Sequence, residues 1–279
     1  MTVCIAALCS EGKSCVVGAD RQITFPAMSL EYEHHDRKID VLTSRCAVLS
    51  SGDSAVAAEV IEKTRQLLKA TNPSNIAQIA ESLRDVYIAI HQERAENIVL
   101  KPRGFTLKEF KEKGAQLPPQ AYTTIDQTLF NFGLNLVEFL IVGDDSTGAH
   151  IFRVYYSGIA GGNWLEWSDR LGQRAIGSGA SHAAILLAIE GQHRDLSLYE
   201  TLYNVYRAKK NSEIAPGVGN ATDLAVISDG NIKLISTTLL GEFDSLRKAD
   251  ERNKVGDEKL KSIYDQHSAG NRPLTLGGR

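Results

Sequence analysis

Residues 2–20 read TVCIAALCSEGKSCVVGAD and contain two short apolar runs joined by a polar turn. The two runs are residues 3–9 and 14–19. Gly12 lies in the turn, and a glycine in so short a connection permits the positive φ that hairpin turns require. The stretch therefore predicts an antiparallel strand pair that opens the protein, with Thr2 at its beginning and Asp20 at its end.

Thr2 is a candidate nucleophile because removal of Met1 would make it the first residue. A threonine hydroxyl is a poor nucleophile by itself, whereas on the first residue it has its own α-amino group as a nearby base. A methionine aminopeptidase that accepts a small side chain would expose it, and with Met1 retained the amide could not act as a base. Asp20 and Lys38 follow where they could serve this nucleophile. The chain end is therefore the candidate reaction centre.

The rest of the chain alternates pairs of strands with pairs of helices. Strand patterns occupy 37–42, 45–50, 135–143, 150–156, 223–228 and 231–236, and helical patterns occupy 55–70, 75–97, 181–190 and 196–209. This order predicts an α+β fold in which two antiparallel sheets pack face to face between helix pairs, a four-layer αββα sandwich.

The predicted domain covers residues 2–240 and carries a polar insertion at about 98–128, with a short amphipathic piece at 107–113. Residues 241–279 are predicted to form a polar C-terminal extension, with one amphipathic helix at about 257–266 and a mobile end. The helix could contact other subunits or be a solvated appendage.

The composition excludes several classes of function. The chain has 279 residues, of which 43% are apolar and 23% charged, and its net charge is −3 with Lys and Arg spread along it. Such a chain lacks the basic footprint of a nucleic-acid-binding protein. No apolar run approaches the roughly 18 residues that span a bilayer, and the N-terminus does not read as a secretory signal. We therefore expect a cytoplasmic protein that binds neither nucleic acid nor membrane.

The potential metal ligands do not form a recognisable site. The four cysteines are Cys4, Cys9, Cys15 and Cys46. The first three lie in strand-like apolar runs, and free cysteine is among the most buried residue types. His34 and His35 are adjacent on an extended segment, so their side chains point to opposite faces and cannot easily share an ion. The sequence predicts buried structural thiols, with no metal and no cofactor.

Several short motifs, taken in order, resemble those of proteasome β-type peptidases of the N-terminal nucleophile hydrolase superfamily. They are Thr2-Val3-Cys4-Ile5, Gly18-Ala19-Asp20-Arg21-Gln22-Ile23-Thr24, Lys38-Ile39, Ser51-Gly52 and Ala175-Ile176-Gly177-Ser178-Gly179. The similarity covers about residues 2–236, and the fourteen-residue gap from Lys38 to Gly52 matches the spacing in the family. The long insertion and the C-terminal extension are most similar to the ancestral β-subunit-like proteins of bacteria.

The resemblance implies the Ntn-hydrolase type of sandwich and a set of roles. Thr2 would be the nucleophile, Lys38 would activate its hydroxyl through positive charge, and Asp20 would hold that ammonium group. The backbone N–H of Gly52 would face the developing oxyanion. Ser178 would help to hold the amine of Thr2. Thr24 would lie on an edge that, together with Gly52, binds an extended peptide.

The sequence departs from the family pattern in one loop. Active relatives carry an Asp and a Ser followed by Gly just before the strand at 223–228, whereas residues 215–222 here read APGVGNAT. Ser212, Glu213 or Asn220 could substitute after a small shift in alignment. The loss leaves the nucleophile, lysine and aspartate in place but affects how they are oriented.

Three functions are therefore open. The first is a threonine peptidase or amide hydrolase that acts on peptides or unfolded protein inside a ring or helical oligomer of identical subunits, and the retained Asp20 and Lys38 favour it. The second is a catalytically impaired scaffold subunit, which the altered loop favours. The third is an amidohydrolase that acts on a small metabolite by the same nucleophile chemistry.

Overall fold

The structure is a computed structural model that describes residues 2–25, 30–132, 137–156, 164–249, 257–267 and 272–273, with only the backbone described at 24–25, 257 and 272–273. The strands are β1 (Cys4–Cys9), β2 (Ser14–Ala19), β3 (Gln22–Phe25), β4 (Leu30–Glu33), β5 (Ile39–Thr43), β6 (Cys46–Gly52), β7 (Val137–Asp145), β8 (Gly148–Tyr155), β9 (Leu165–Trp167), β10 (Gln173–Ile176), β11 (Asp223–Ser228), β12 (Asn231–Leu234) and β13 (Arg272–Pro273). The α-helices are α1 (Ser54–Thr71), α2 (Ile76–Ala95), α3 (Leu107–Lys113), α4 (Pro119–Phe130), α5 (Ala180–Ile189), α6 (Leu198–Asn211), α7 (Thr237–Ala249) and α8 (Asp257–His267). The predicted mixture of helices with antiparallel sheets is confirmed.

The first sheet contains the predicted opening hairpin. Its order in the described part of the chain is β10-β1-β2-β11-β12-β13. In the hairpin Cys4 pairs with Ala19, and β10 pairs with β1 so that Cys4 also lies opposite Ile176. The residues just before β1, just after β2 and just after β10 therefore lie side by side at one end of this sheet.

The second sheet brings Lys38 and Gly52 to a common end. Its order is β5-β6-β7-β8-β9, and Ile39 at the start of β5 pairs with Leu49 near the end of β6. Gly52 ends β6 opposite Val137 in β7. Because β5 and β6 are antiparallel neighbours, the residue before one and the last residue of the other are close in space.

Alternate residues along the strands pack in opposite directions, as the two-residue period of a strand requires. In β1, Cys4, Ala6 and Leu8 join an apolar cluster that also contains residues of the second sheet, such as Leu49 and Leu140. The intervening residues of β1 pack with α5, α6 and α7 in another cluster. The far side of the second sheet packs with α1 and α2. Both sheets therefore contribute to one shared core.

The insertion contains more structure than the sequence indicated. The amphipathic piece forms α3, as predicted, but α4 was not predicted. Pro119 is the first residue of α4, a position that suits its fixed φ and missing N–H. Phe110 and Ile125 of these helices are buried with Val99 and Leu100, so the insertion has a small core of its own.

The C-terminal boundary predicted at residue 240 falls inside α7. Phe243 and Leu246 of α7 are buried in the cluster beneath the first sheet, and Leu260 of α8 joins them. The helix predicted at 257–266 is confirmed as α8, but it packs on the domain rather than standing apart as a solvated appendage. The mobile end predicted after it lies largely outside the described residues.

The cysteine prediction is confirmed. All four thiols are free and buried, and burial raises the pKa of Cys4 to about 12. In the described ranges, no helix is both long enough and apolar enough to cross a membrane.

Candidate active site

Thr2, Asp20 and Lys38 meet at the end of the two sheets. Thr2 is 2% exposed and Asp20 is fully buried, which differs from the turn or surface position that a lone aspartate at a strand end usually takes. The Thr2 hydroxyl donates a hydrogen bond to Asp20 Oδ1 and accepts one from Lys38 Nζ. Lys38 Nζ lies 3.0 Å from Asp20 Oδ1 and also donates to the Gln22 carbonyl at 2.5 Å. The hydroxyl oxygen is thus held between a carboxylate and an ammonium group.

Both oxygens of the Asp20 carboxylate are fully used. Oδ1 accepts from the Thr2 hydroxyl, from Lys38 Nζ and, at 3.0 Å, from the backbone N–H of Val3. Oδ2 accepts from the backbone N–H groups of Gln22, at 3.0 Å, and Gly219, at 3.1 Å. Hydrogen bonds to an ionised acceptor are about twice as strong as neutral ones, so five donors can compensate for burying this charge.

The backbone of Thr2 is held by the turn that follows β10. The Thr2 nitrogen donates to Ser178 Oγ at 3.2 Å, and the Gly179 N–H donates to the Thr2 carbonyl at 3.2 Å. Gly177 has φ of +90°, and a Cβ there would lie 2.3 Å from the Thr2 carbonyl oxygen. Only glycine allows this close approach. If Met1 were removed, the Thr2 nitrogen would be an α-amine next to the Ser178 hydroxyl.

Gly52 lies with Thr2 in the wall of one cleft of about 440 Å³. The other lining residues are Ser51, Glu138, Arg153, Ala175, Ile176, Gly177, Ser178 and Ala180. Gly52 has φ of +109°, a conformation that favours glycine. Thr24 is in β3, opposite Glu31 of β4, and its side chain lies outside the described residues. Its role in binding a peptide therefore stays a prediction, as do the catalytic roles of the other residues.

A charged pair in the cleft was not found from the sequence. Arg153 Nη2 donates to Glu138 at 2.8 Å, and the Arg153 guanidinium lies 4.1 Å from the centre of the Tyr155 ring. Glu166 joins this network by accepting from Arg153 Nη1 at 3.4 Å, and it also accepts from Arg174 at 2.5 Å. Glu138 and Arg153 are on adjacent strands, but nothing in the separate strand patterns indicated that both residues line the same cleft as Thr2. The cleft therefore has one strongly polar wall.

A second ion network fixes the segments that carry Asp20 and Lys38. Arg21 follows Asp20 in the chain and donates two hydrogen bonds to the buried carboxylate of Asp223, at 2.7 and 2.5 Å. Arg37 precedes Lys38 and donates to the same carboxylate at 3.3 Å. The sequence shows an arginine next to each of these candidate residues, but only the fold shows that both arginines bind Asp223.

The altered loop contacts the site through its backbone rather than through a replacement side chain. Gly219 supplies the N–H that binds Asp20 Oδ2. Of the three substitutes considered, Ser212 donates to the Ala208 carbonyl at 2.8 Å and Glu213 pairs with Lys209 at 2.6 Å. Neither these two nor Asn220 shares a hydrogen bond with Thr2 in the part of the chain that the structure describes. The alignment shift that would bring one of them to the nucleophile is not supported.

No cluster of three or more His, Cys, Asp or Glu side chains suited to a metal ion occurs among the described residues. In comparisons with known proteins, no protein-family model matched the chain, and no curated protein matched it. The assignment of a function therefore depends on the geometry of this site together with the resemblance of the motifs that form it.

Proposed function

We propose that this protein is an N-terminal threonine hydrolase that cleaves amide bonds, with Thr2 as its nucleophile once Met1 has been removed. The observation that carries the proposal is the position of the Thr2 hydroxyl, which hydrogen-bonds to both buried Asp20 and Lys38 beside an open cleft. Packing alone poorly explains a hydroxyl flanked by a cation and an anchored carboxylate, because burying such a charge pair carries a large desolvation penalty.

The chemistry follows from the atoms around Thr2. The hydroxyl oxygen attacks the carbonyl carbon of the substrate amide while its proton passes to the α-amine of Thr2, directly or through water. The positive charge of Lys38 stabilises the developing alkoxide, and the N–H of Gly52 faces the oxyanion of the tetrahedral intermediate. The C–N bond then breaks, the leaving amine takes the proton from the α-ammonium, and water hydrolyses the resulting ester to regenerate Thr2.

The proposal includes the architecture and assembly that the resemblance implies. The packing of α1 and α2 on one sheet, and of α5 and α6 on the other, supports a four-layer αββα sandwich of the Ntn-hydrolase type. Assembly from identical subunits would bury apolar side chains that are exposed on the single chain, among them Ile185 and Ile189 of α5.

A second candidate is an amidohydrolase for a small polar metabolite. The cleft volume of about 440 Å³ is within the range of small-molecule sites. The ion pair of Glu138 and Arg153 in its wall favours a substrate that carries polar groups over an apolar peptide side chain. The two candidates share the nucleophile and differ in the substrate, so short fluorogenic peptides and N-acyl amino acids should be assayed side by side.

The proposal is tested by hydrolysis of these amide substrates with chain whose first residue is verified by mass to be Thr2. We expect turnover by the wild type and by Thr2→Ser, and a loss of at least about 10³-fold in Thr2→Ala, since removal of a nucleophile eliminates the covalent route. Thr71→Ala is the matched control, because Thr71 is exposed on α1 and its hydroxyl donates to the Leu67 carbonyl of the same helix.

Equal turnover by Thr2→Ala and Thr71→Ala would contradict the proposal. A folded wild type that starts at Thr2 and cleaves neither substrate class would favour the scaffold alternative instead.

A further inference from the structure

Lys209 in α6 is a fully buried lysine that the proposed chemistry does not use. Its side chain is 0% exposed. Nζ donates to Glu213 Oε1 at 2.6 Å, to the Gly219 carbonyl at 2.7 Å and to the Asn220 carbonyl at 3.0 Å. An ammonium group has three N–H donors, so these acceptors satisfy it completely.

Burying this cation is unfavourable unless its interactions compensate. Burial lowers the pKa of Lys209 to about 8, against the opposing effect of its bond to Glu213. The other charged groups that act on it are Lys210, which lowers its pKa further, and Asp20, which raises it. Replacing a buried ion pair by apolar residues is often neutral or stabilising, so stability alone does not explain the presence of Lys209 here.

The two carbonyls that bind Lys209 belong to the loop that departs from the family pattern. Gly219 uses both of its backbone groups, since its carbonyl accepts from Lys209 and its N–H donates to Asp20 Oδ2 at 3.1 Å. The residue also packs closely on the site, because a Cβ at Gly219 would lie 2.8 Å from the Cβ of Gln22. One residue thus joins the buried ammonium to the carboxylate that holds Thr2 and Lys38.

We propose that Lys209 is a positioning residue for the Thr2 site. Its buried ammonium group binds two carbonyls of the 215–220 loop and so holds the Gly219 N–H in position to donate to Asp20. The inference rests on the proposed function for its effect on catalysis, but its structural part stands independently. In this chain the loop has no acidic or hydroxyl side chain between residues 215 and 220 to orient the carboxylate. The Gly219 N–H, in a residue whose carbonyl is bound by Lys209, orients the carboxylate instead.

The chain contains its own control for this inference. Lys210 is the next residue in α6 and shares two acceptors with Lys209, since its Nζ lies 2.8 Å from Glu213 and 3.0 Å from the Asn220 carbonyl. Within the part of the chain that the structure describes, Lys210 does not hydrogen-bond to Gly219, and its side chain is 18% exposed. Lys210→Met therefore removes a neighbouring charge that binds the same loop. It leaves Gly219, the residue that contacts Asp20, bound to Lys209.

The first test measures covalent labelling of Thr2 by a β-lactone probe as a function of pH in wild type, Lys209→Met and Lys210→Met. We expect Lys209→Met to label at least about tenfold more slowly than Lys210→Met, and Lys209→Arg to recover part of the rate. Divided by the rate of Lys209→Met at the same pH, the labelling rates of the wild type and of Lys210→Met should fall as pH rises through about 8, where Lys209 loses its proton. Equal rates and equal pH profiles in the two Met variants would overturn the inference.

The second test does not need activity, so it separates this inference from the proposed function. Hydrogen exchange is followed on a peptide that covers the loop, in the wild type and in a Lys209→Met/Glu213→Gln double variant that leaves no buried charge unpaired. We expect protection of the loop to fall by about tenfold in the double variant while β1 and β2 remain protected. Failure of the wild type to label would count against the proposed function alone, whereas unchanged loop protection would count against the role of Lys209.

Discussion

The two oxygens of Asp20 face regions that are built in different ways. On the Oδ1 side, the contacts to Thr2 and Lys38 are made by side chains. On the Oδ2 side, the contacts are backbone N–H groups, and the nearby turn at 177–179 holds Thr2 through the Gly179 N–H together with the Ser178 hydroxyl. The difference teaches that one half of the site is specified by residue type and the other half by the path of the chain.

Substitution of a residue in the side-chain half of the site should give the largest loss of hydrolytic activity. Lys38→Met removes the cation beside the Thr2 hydroxyl and leaves the buried charge of Asp20 without its counterion. We expect amide hydrolysis to fall by about 10³-fold, as is typical when a group that activates the reacting atom is lost. The measurement is kcat/KM on the substrate that the wild type turns over best.

Lys63→Met is the control for that variant, because Lys63 pairs with Glu59 at 3.0 Å on the half-exposed face of α1. Its activity should match the wild type. Retention of more than about a tenth of the activity by a folded Lys38→Met variant would show that the ammonium group is not part of the mechanism.

The backbone half should give a smaller effect, and Gly177→Ala tests it. A methyl group at Gly177 would overlap the Thr2 carbonyl, so the turn or Thr2 must move. We expect kcat to fall by about 10- to 100-fold, because the nucleophile is displaced while every catalytic side chain remains. Stability should also fall, by about 1–3 kcal/mol for an alanine forced to positive φ.

Gly191→Ala separates the effect of backbone strain from the effect of steric overlap with Thr2. Gly191 also has positive φ, at +64°, but no atom lies within 4 Å of the Cβ that would be added. Thermal unfolding should show a loss of stability for both variants, whereas only Gly177→Ala should lose activity. If the two variants retained equal activity, the turn after β10 would not be positioning Thr2.

The sequence was sufficient for the side-chain half of the site. The hairpin of β1 and β2 follows from alternation and one turn, and it places Thr2 near Asp20. That Lys38, which precedes a strand of the other sheet, would join them was implied by the resemblance of the motifs. The strand pair of β5 and β6 brings Lys38 near Gly52, two residues whose spacing in the sequence matches that of the family they resemble. These inferences needed only local patterns and the order of motifs.

The backbone half could not be predicted, because main-chain N–H groups are the same in every residue except proline. The contact of Gly219 with Asp20 joins residues 199 positions apart, and the Gly219 carbonyl accepts from the buried ammonium of Lys209. One signal was present, since Lys209 follows Leu202 and Val205 at helical spacing and so falls on the buried stripe of α6. The helices α4 and α7 were missed because charged residues and prolines obscured their apolar faces.

A region remote from Asp20 should give the smallest effect on activity. His150 lies at the end of the second sheet away from Gly52, with Nδ1 2.6 Å from Asp169 and Nε2 3.3 Å from Asp145. The hydrogen bond to Asp169 raises the pKa of His150 in the folded state. Charged His150 therefore stabilises the folded state fully at pH values below its unfolded pKa of about 6.5. This stabilisation is lost as pH rises through its pKa in the folded state.

The unfolding temperature of the wild type should fall relative to His150→Gln as pH increases across that interval, while the two hydrolyse substrate at equal rates. His193→Gln, which changes an exposed histidine, should follow the wild type at every pH. A pH-independent difference between wild type and His150→Gln would mean that the imidazole is not charged in the folded protein.

The most direct test of the central claim is mass-spectrometric location of a β-lactone adduct after digestion of the labelled protein. We expect one ester on the hydroxyl of Thr2, formed only on chains that begin with this residue and absent from chains that keep Met1. An adduct on another residue, or equal labelling of Thr2 with Met1 still attached, would contradict a mechanism in which the freed α-amine of Thr2 takes the proton.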